Sequence, residues 1–372
     1  MQLAQIQTIP EVVNVLKVLV TGAVSFFLAF LVIPLWTKIL YKYKIGVKIK
    51  SNSVDGQKLV YVNKLHADKS GTPTMGGVII WVVILILAFA SHYLFPYFAK
   101  RLDVNFIARL DFLSRSQVWL PLFALVTAGI LGLFDDFMSV RGWGKNKGGG
   151  MKFAMRFWWL IIISVAGAWW FFGKLGWDII HIPAVGDFSI GFWYIPVFML
   201  VIIFSAISSN ETDGLDGLAA GIFLTMFGAY AAIAFDQGKI DLAIFLSATM
   251  GALVAFLWFN IYPARFFMGD TGSMALGTML GVVAMLTNTP LLLIPIGAVF
   301  IMESSSVIIQ LTSKKLRKKK VFLSTPVHHH FEALGWPEMQ VTMRFWVINA
   351  VGAIIGLIIF LVDSKIPPIS FF

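Results

Sequence analysis

Acidic side chains in this sequence occur in small groups beside strongly apolar segments. Asp135 and Asp136 are adjacent at the end of one apolar run, and Asp270 opens another after Phe267-Met-Gly. An aspartate at the centre of a membrane span costs roughly 2.5–3.5 kcal/mol on insertion scales, and less near the span ends. Mg²⁺ prefers one or two carboxylates together with substrate oxygens. These acids therefore indicate handling of Mg²⁺ and phosphate, with a solvated helix cap as the alternative for each one alone.

Three polar residues at intervals of three form a second group. Asn210, Asp213 and Asp216 stand between two apolar runs, and Gly214 and Gly217 each follow an aspartate. On a helix this spacing would place the three side chains on one face, and the glycines would let a ligand approach the backbone closely. The alternative is a turn in which an aspartate caps a helix.

A run of three histidines, His328-His329-His330, lies in a later polar segment. Three imidazoles could bind a transition metal, but consecutive residues rarely converge on one ion. We interpret the run as a site for anionic phosphate, because a nearby diphosphate would favour the protonated form of histidine. A polar loop without a ligand is the alternative.

Two glycine-rich segments also contain lysine. Lys69-Ser-Gly-Thr-Pro-Thr74-Met-Gly-Gly precedes an apolar run, and Lys145-Asn-Lys147 precedes three glycines. Backbone N–H groups in such loops can bind phosphate or a nucleotide. In the first segment, the glycine and proline could also be those of any loop before a helix. The second segment could equally be an anion site or only a flexible basic loop.

The composition indicates how these residues are positioned. The 372 residues are 58% hydrophobic and 13% charged, whereas soluble domains have about 25% charged residues. The mean hydropathy is +0.83, and such apolar surface is stable only in lipid. The absence of cysteine excludes disulfides and thiolate metal sites. We attribute the net charge of +10 to residues that orient membrane spans rather than to nucleic-acid binding.

The apolar runs predict an all-α, polytopic membrane protein that forms one domain over 1–372, with Pro295 kinking the ninth span. The ten predicted spans are 18–37, 76–98, 118–137, 154–173, 191–209, 215–235, 240–261, 271–288, 290–311 and 344–363.

Most of the 29 Lys and Arg residues lie in loops on one side of these spans. The positive-inside rule makes that side the inside and places both termini outside, in the periplasm of a Gram-negative cell. The acidic, amide and histidine groups fall on the same inside face, including Asn260 at the end of the seventh span. The motifs played no part in the charge count, so their placement on the same face is independent of it. We therefore expect the aspartates and histidines to line one shared cleft.

These motifs together resemble the polyprenyl-phosphate N-acetylhexosamine-1-phosphate transferases. The resemblance extends from Lys69 to His330 by motif and covers all ten spans by layout. It is carried by Gly-Thr-Pro-Thr-Met-Gly-Gly at 71–77, Asp135-Asp136, 210–217, Asn260, 267–270 and 326–332. Three histidines followed by Phe-Glu favour the branch that transfers phospho-N-acetylmuramoyl-pentapeptide over relatives that use N-acetylglucosamine.

The resemblance implies transfer from UDP-MurNAc-pentapeptide to undecaprenyl phosphate with release of UMP, a requirement for Mg²⁺, and a homodimer in the bacterial inner membrane with a cytoplasmic active site. It implies catalytic roles for Asp135, Asp136, Asp270 and His328, with Asp270 as the metal ligand. The implied substrate-binding residues are Lys69, Thr74, Asn210, Asp213, Asp216, Asn260, Phe267, Gln310, His329 and His330. Two departures are the long outside loop 96–117 and Gly149-Gly150 after Lys147-Gly.

Asp135 is the usual candidate for a catalytic base in such a reaction. A phosphate monoester has a second pKa near 6, so the lipid nucleophile is already largely a dianion at pH 7. An unperturbed aspartate, with a pKa near 3.9, would take that proton uphill. We therefore expect Asp135 mainly to position the lipid phosphate or the metal. A one-step and a two-step transfer both remain open.

Three other functions compete with this interpretation. A transporter also has acids within the membrane, but its site lies near the midplane and often between inverted repeats. A structural scaffold leaves the clustered acids unexplained. Transfer of N-acetylglucosamine-1-phosphate differs only in the sugar.

Overall fold

The structure is a computed structural model that describes residues 2–43, 45–46, 69, 71–102, 110–113, 118–143 and 150–365. Lys145, Lys147, Gly149 and parts of the loop 96–117 lie outside these ranges. The described helices are α1 (Gln2–Lys42), α2 (Val78–Phe89), α3 (Phe95–Leu102), α4 (Trp119–Arg141), α5 (Phe153–Trp169), α6 (Tyr194–Thr212), α7 (Leu218–Asp236), α8 (Ile240–Asn260), α9 (Asp270–Leu286), α10 (Leu293–Ile296), α11 (Ala298–Arg317), α12 (Val327–Ala333) and α13 (Glu338–Lys365).

Helix length and composition confirm the prediction of an all-α, polytopic membrane protein. In the described part of the chain, eight helices are long and apolar enough to cross a membrane, and α10 with α11 makes a ninth if this bent pair is one span. The predicted eighth span corresponds to α9, which has only 17 residues. Every residue from Thr271 to Leu286 is buried, because other helices surround α9. A helix enclosed by protein need not match the bilayer thickness by itself.

The predicted kink in the ninth span is confirmed. Residues Pro290–Ile296 and Ala298–Arg317 meet at an angle of 87°, and the break falls at Gly297, two residues after Pro295. Proline has no backbone N–H and its ring clashes with the preceding turn, which weakens the helix at this point. The bend directs α11 away from the axis of the segment before it.

Small residues allow α9 to pack closely against its neighbours. A Cβ added to Gly277 would lie 2.2 Å from Ser209 Oγ, and one added to Gly281 would lie 3.0 Å from Ile202 Cα. Close backbone approach through small residues is a common way for membrane helices to associate. This packing fixes the position of α9 and hence of Asp270 at its first residue.

A two-stranded antiparallel hairpin, β1 (Ile179–Ile182) and β2 (Gly186–Ser189), is the one described element that the all-α prediction missed. It connects α5 to α6 at the end of the bundle where α13 finishes. His181 joins it to α13, because Nε2 lies 2.5 Å from Asp363 Oδ2 and Nδ1 lies 2.8 Å from Asp187 Oδ1. The backbone N–H of Ala184 also donates to Asp363 Oδ1.

The His181 contacts predict a pH-dependent attachment of the hairpin. Partial burial acts to lower the pKa of His181, but hydrogen bonds to Asp363 and Asp187 and their charges outweigh it, so the pKa lies above 6.5. The stabilisation is therefore complete below about pH 6.5 and is lost as the pH rises through the raised pKa. We expect hydrogen-exchange protection factors of the hairpin amides to fall over that range, while those of α9 stay constant. His181→Gln should abolish the pH dependence, and an unchanged dependence would refute the assignment.

Candidate active site

Asp136 joins α4 to the start of α9. Its Oδ1 accepts a hydrogen bond from the N–H of Asp270 and its Oδ2 accepts one from the N–H of Thr271, both at 3.1 Å. The first N–H groups of a helix have no partner within the helix, so a carboxylate there stabilises the helix end. Asp136 is almost fully buried, and both oxygens are engaged in holding Asp270 in place.

Arg156, at the start of α5, bridges the other two carboxylates. Its Nη1 donates to Asp270 Oδ2 at 2.8 Å, and its Nε lies 3.3 Å from Asp135 Oδ2. Asp135 Oδ1 also accepts a hydrogen bond from the N–H of Met151. From sequence, Arg156 was one of the many Lys and Arg residues attributed to orientation of the spans. The signal that could have identified it is its position as a cation in an otherwise apolar stripe with Phe153 and Phe157.

Asp270 is the most accessible carboxylate of this cluster. Its side chain is 25% exposed, compared with 4% for Asp135, and its Oδ1 accepts a hydrogen bond of 2.6 Å from Asn210 Nδ2. Among the described residues, no group of three or more His, Asp or Glu side chains is arranged to hold a metal ion. Mg²⁺ usually takes one or two carboxylates and completes its shell with water and substrate oxygens. Asp270, with Asp135 beside it in the same cluster, therefore fits a magnesium site that substrate completes.

Lys69 belongs to a second polar cluster. Its Nζ donates to Asp216 Oδ1 at 2.6 Å and also to Glu338 Oε1, and it lies 5.8 Å from the centre of the Phe267 ring. Glu338 accepts the N–H of Asp216 as well, and Asp216 Oδ2 accepts the N–H of Ala264. Glu338 was not predicted as a site residue, although its place at the start of α13, just after Trp336-Pro337, is typical of a helix-capping acid.

Two other predicted residues hold loops together in this structure. Asn260 accepts the N–H of Gly217 on its Oδ1 and donates from Nδ2 to the carbonyl of Phe266. Thr74 is buried next to Gly269, where an added Cβ would lie 2.7 Å from Thr74 Oγ1. These contacts shape the backbone around the Lys69 and Asp270 clusters.

A cavity of about 490 Å³ lies beside these clusters. The predicted residues that line it are Asn210, Asp213, Gln310, His328 and His329. Arg156 lines it too, as do apolar side chains of four helices, Phe153, Phe157, Leu160, Ala206, Ile207, Met274, Val307 and Leu311. The cavity thus has a polar end near Asp213 and a wall that is suitable for a hydrocarbon chain.

Asp213 connects the cavity to both polar clusters. Burial and the charges of Asp270 and Asp216 together raise the pKa of Asp213 to about 7, although the N–H of Gly269 and the His328 ring act in the opposite direction. Asn210, Asp213 and Asp216 would share one face only on a continuous helix, and the structure instead has the alternative, a turn. The helix α6 ends at Thr212 and Gly217 has a φ of +73°, so Asp216 turns towards Lys69 while Asn210 remains beside Asp270.

The three histidines have different surroundings, so they do not act as one unit. His328 is 1% exposed, and its Nδ1 lies 3.0 Å from Glu303 Oε1. His329 lines the cavity and its Nδ1 lies 2.7 Å from Glu332 Oε2. His330 accepts the N–H of Leu323 on its Nδ1 and does not line the cavity.

Gln310 combines two roles. Its Oε1 accepts the N–H groups of Val321 and Phe322, and its Nε2 donates to the carbonyl of Phe322. It therefore fixes the segment after α11 while one side of it borders the cavity. The shared cleft predicted from sequence is thus a cavity with two adjoining clusters, connected through Asp213 and Arg156.

Gly132 provides a test of the close packing behind Asp270. A Cβ at this position would lie 2.2 Å from the backbone oxygen of Asp270, which cannot move aside easily. We expect Gly132→Ala to displace the start of α9 and to lower both activity and melting temperature. The matched control is Gly228→Ala, where the nearest atom to the new Cβ is Met250 Cε at 3.5 Å. Equal effects of the two substitutions would contradict the packing argument.

Comparison with known proteins gives two family matches. The model of glycosyl transferase family 4 matches residues 118–288, which contain Asp135, Asp136, Asp213 and Asp270. The phospho-N-acetylmuramoyl-pentapeptide-transferase signature 1 matches residues 69–80, the segment that begins with Lys69.

Full-length relatives give the same result. A phospho-N-acetylmuramoyl-pentapeptide-transferase from Geobacillus thermodenitrificans is 36% identical over 344 residues, which are 92% of this chain and 97% of the relative. One from Borrelia garinii is 38% identical over 311 residues, 78% of this chain and 82% of the relative. One from Chloroflexus aurantiacus is 35% identical over 354 residues, 92% of this chain and 89% of the relative.

Proposed function

Because this chain belongs to the phospho-N-acetylmuramoyl-pentapeptide-transferase family, we propose that it transfers phospho-MurNAc-pentapeptide from UDP-MurNAc-pentapeptide to undecaprenyl phosphate, releasing UMP. The product would be the first lipid-linked intermediate of peptidoglycan synthesis. The observation that carries the proposal is the junction at Arg156. There the Asp135–Asp270 cluster meets a cavity whose other end is apolar.

The apolar wall suits the lipid acceptor. Phe153, Phe157 and Leu160 of α5 face Val307 and Leu311 of α11 across the cavity. A polyprenyl chain could lie between these side chains while its phosphate reaches the polar end.

The polar end suits the nucleotide-sugar. Lys69 and the Phe267 ring lie together and offer a cation and an aromatic face to a uridine nucleotide. Asn210, Asp213 and His328 line the cavity itself. We assign Lys69, Thr74, Asp216, Asn260 and Phe267 to the nucleotide side, and Gln310, His329 and His330 to the border of the diphosphate side.

The carboxylates position the reacting groups. Asp136 fixes Asp270 through the end of α9, and Asp270 would hold Mg²⁺, which when bound supplies positive charge to the diphosphate and the departing UMP. Arg156 pairs with both Asp135 and Asp270 and offers a planar guanidinium to phosphate oxygens. We assign to Asp135 the orientation of the acceptor phosphate rather than the role of a catalytic base. One of its oxygens accepts the N–H of Met151 and the other pairs with the Arg156 guanidinium, so neither is free to take a proton.

We place the site on the cytoplasmic face of the bacterial inner membrane. The site residues lie where α4, α6 and α8 end and where α5, α9 and α13 begin, so they share one end of the bundle. That end has the Lys- and Arg-rich loops, which the positive-inside rule assigns to the cytoplasm. Both termini would then be periplasmic. We also propose a homodimer, which native mass spectrometry of the detergent-solubilised protein would test.

The test of the proposed function is UMP release by the purified protein in mixed micelles with undecaprenyl phosphate and Mg²⁺. UDP-MurNAc-pentapeptide should give UMP and a lipid-linked product, and UDP-N-acetylglucosamine should give neither. Chelation by EDTA should stop the reaction and added Mg²⁺ should restore it. Uptake of substrate into vesicles without UMP release would favour a transporter and would contradict the proposal.

A further inference from the structure

Glu303 is a carboxylate in the first half of α11 and is completely buried. Its two oxygens contact a single residue of α12. Oε1 lies 3.0 Å from His328 Nδ1, and Oε2 accepts the backbone N–H of His328 at 3.4 Å. A buried carboxylate is costly unless it is paired and hydrogen-bonded, so this bidentate contact fixes both the place and the orientation of the imidazole.

The other ring nitrogen of His328 is in an unusual situation. Nε2 is buried and has no hydrogen-bond partner among the described residues. It lies under the backbone of Gly214, where an added Cβ would be only 2.2 Å away. Gly214 and His328 both line the cavity, and Gly214 has no side chain to cover Nε2 at that point. A buried polar nitrogen without a hydrogen-bond partner is expensive, and its retention beside a cavity indicates that a ligand completes it.

We propose that Glu303 is a positioning residue that orients His328 and holds it protonated, so that its Nε2–H faces the phosphate oxygens bound beside Gly214. The inference rests on the proposed function, since it adds a residue to the diphosphate side of that site. With Glu303 paired to Nδ1, a neutral ring would carry its proton there and leave a lone pair at Nε2, which repels phosphate. The imidazolium instead presents an N–H donor with a positive charge, and charge-assisted hydrogen bonds of this kind are the strong ones.

The surrounding charges favour the imidazolium. Burial acts to lower the pKa of His328, but the charge and hydrogen bond of Glu303 and the charges of Glu332 and Glu338 outweigh it, so the pKa is raised. Glu211 and Asp213, at the end of α6, also face this ring. Glu303 is the one of these acids that contacts the ring directly among the described pairs. A dianionic ligand would stabilise the same protonation state further.

A purely structural role makes a different prediction. If Glu303 only attached α12 to α11, its replacement would lower the melting temperature but would not change how the protein discriminates between ligands with and without phosphate. The relevant measurement is therefore the ratio of the affinities for UDP and for uridine, which share the base and the ribose. This ratio reports phosphate recognition alone.

Calorimetric titration of the full-length protein in detergent tests the proposal between about pH 5.5 and pH 8.5. In the wild-type protein the UDP/uridine affinity ratio should fall as the pH rises through the pKa of His328. Glu303→Gln should lower the ratio at pH 7 by about 10-fold to 100-fold, shift its pH dependence to lower pH, and leave uridine affinity within about twofold. Glu303→Asp, which keeps the charge, should restore part of the ratio.

Asp187→Asn is the matched control, because it removes a carboxylate from another histidine, His181, at the opposite end of the bundle. It should leave the ratio and its pH dependence as in the wild type. Since both proteins see the same ligand, the titration of UDP itself cancels in the comparison.

The outcomes separate the two phosphate sources. If Glu303→Gln lowers the affinity for undecaprenyl phosphate and leaves the UDP/uridine ratio unchanged, the Glu303–His328 pair binds the acceptor phosphate. That result would still support the positioning role of Glu303. An unchanged ratio, unchanged lipid affinity and a pH-independent wild type would overturn it. If Glu303→Gln does not fold, the wild-type pH profile and Glu303→Asp still decide. Absence of UMP release by the wild type from UDP-MurNAc-pentapeptide would instead refute the proposed function.

Discussion

The Asp270→Asn variant is expected to release UMP at least about 1000-fold more slowly than the wild-type protein while binding uridine almost normally. Asn has the same shape and can still accept the hydrogen bond from Asn210, so the local fold should survive. It lacks the negative charge that a divalent cation requires, and it leaves Arg156 facing a neutral amide. Electrostatic stabilisation of the transferring phosphoryl group is the main contribution that such a site makes.

The measurement for Asp270→Asn is the rate of UMP release as a function of Mg²⁺ concentration. Asp178→Asn serves as the control, because Asp178 accepts the Ser189 hydroxyl in the hairpin at the other end of the bundle. It should behave as the wild type. A variant at 270 with normal turnover and an unchanged Mg²⁺ requirement would exclude Asp270 as the metal ligand.

Asp135→Asn should lower kcat by about 100-fold at every pH between about 6 and 9. The amide keeps an acceptor for the N–H of Met151, but its loss of charge releases Arg156 from Asp135 and disturbs the alignment of the acceptor phosphate. That phosphate is already mostly a dianion at pH 7, since its second pKa is near 6. A base is therefore not needed to prepare it.

Recovery of the Asp135→Asn variant at high pH is the result that would contradict this positioning role. If hydroxide or a spontaneous loss of the proton could replace the carboxylate, kcat of the variant would rise towards the wild-type value above pH 7. Such recovery would assign the base function to Asp135. Trapping a phosphosugar on an aspartate would decide separately between the two-step and the one-step reaction.

The arrangement of the site could be predicted from sequence where it depends only on the direction in which successive spans cross the membrane. Asp135, Asn210 and Asp270 stand at the same kind of span boundary, so any regular crossing pattern brings them to one end of the bundle. Helix formation itself was predictable because backbone groups in lipid must be satisfied within the segment. Both properties follow from the sequence without knowledge of which helices pack together.

Pairing across the bundle could not be predicted in this way. Glu303 lies mid-span, where no motif marks it, and its partner is 25 positions away on a separate helix. The position of Arg156 in an apolar stripe could have marked it as unusual, but its partners Asp135 and Asp270 become known only when α5 is placed beside them. His330 follows two histidines in sequence, yet its ring turns to Leu323 because successive helical residues point about 100° apart.

The hairpin was missed for a related reason. Its two strands have only four residues each. Strands of that length are too short to distinguish from an irregular connection by their sequence pattern. Its attachment depends on Asp363, 182 residues after His181. The sequence contains both residues but gives no indication that they meet.

The 87° bend between α10 and α11 has a kinetic consequence for the proposed reaction. It turns α11 away from the axis of α10, and Val307 and Leu311 of α11 line the cavity that we assign to the lipid acceptor. A lipid acceptor would then arrive by lateral diffusion within the leaflet rather than from bulk solution. Turnover would saturate with the mole fraction of acceptor in the bilayer or micelle, and adding inert lipid at a fixed acceptor concentration would slow it by surface dilution.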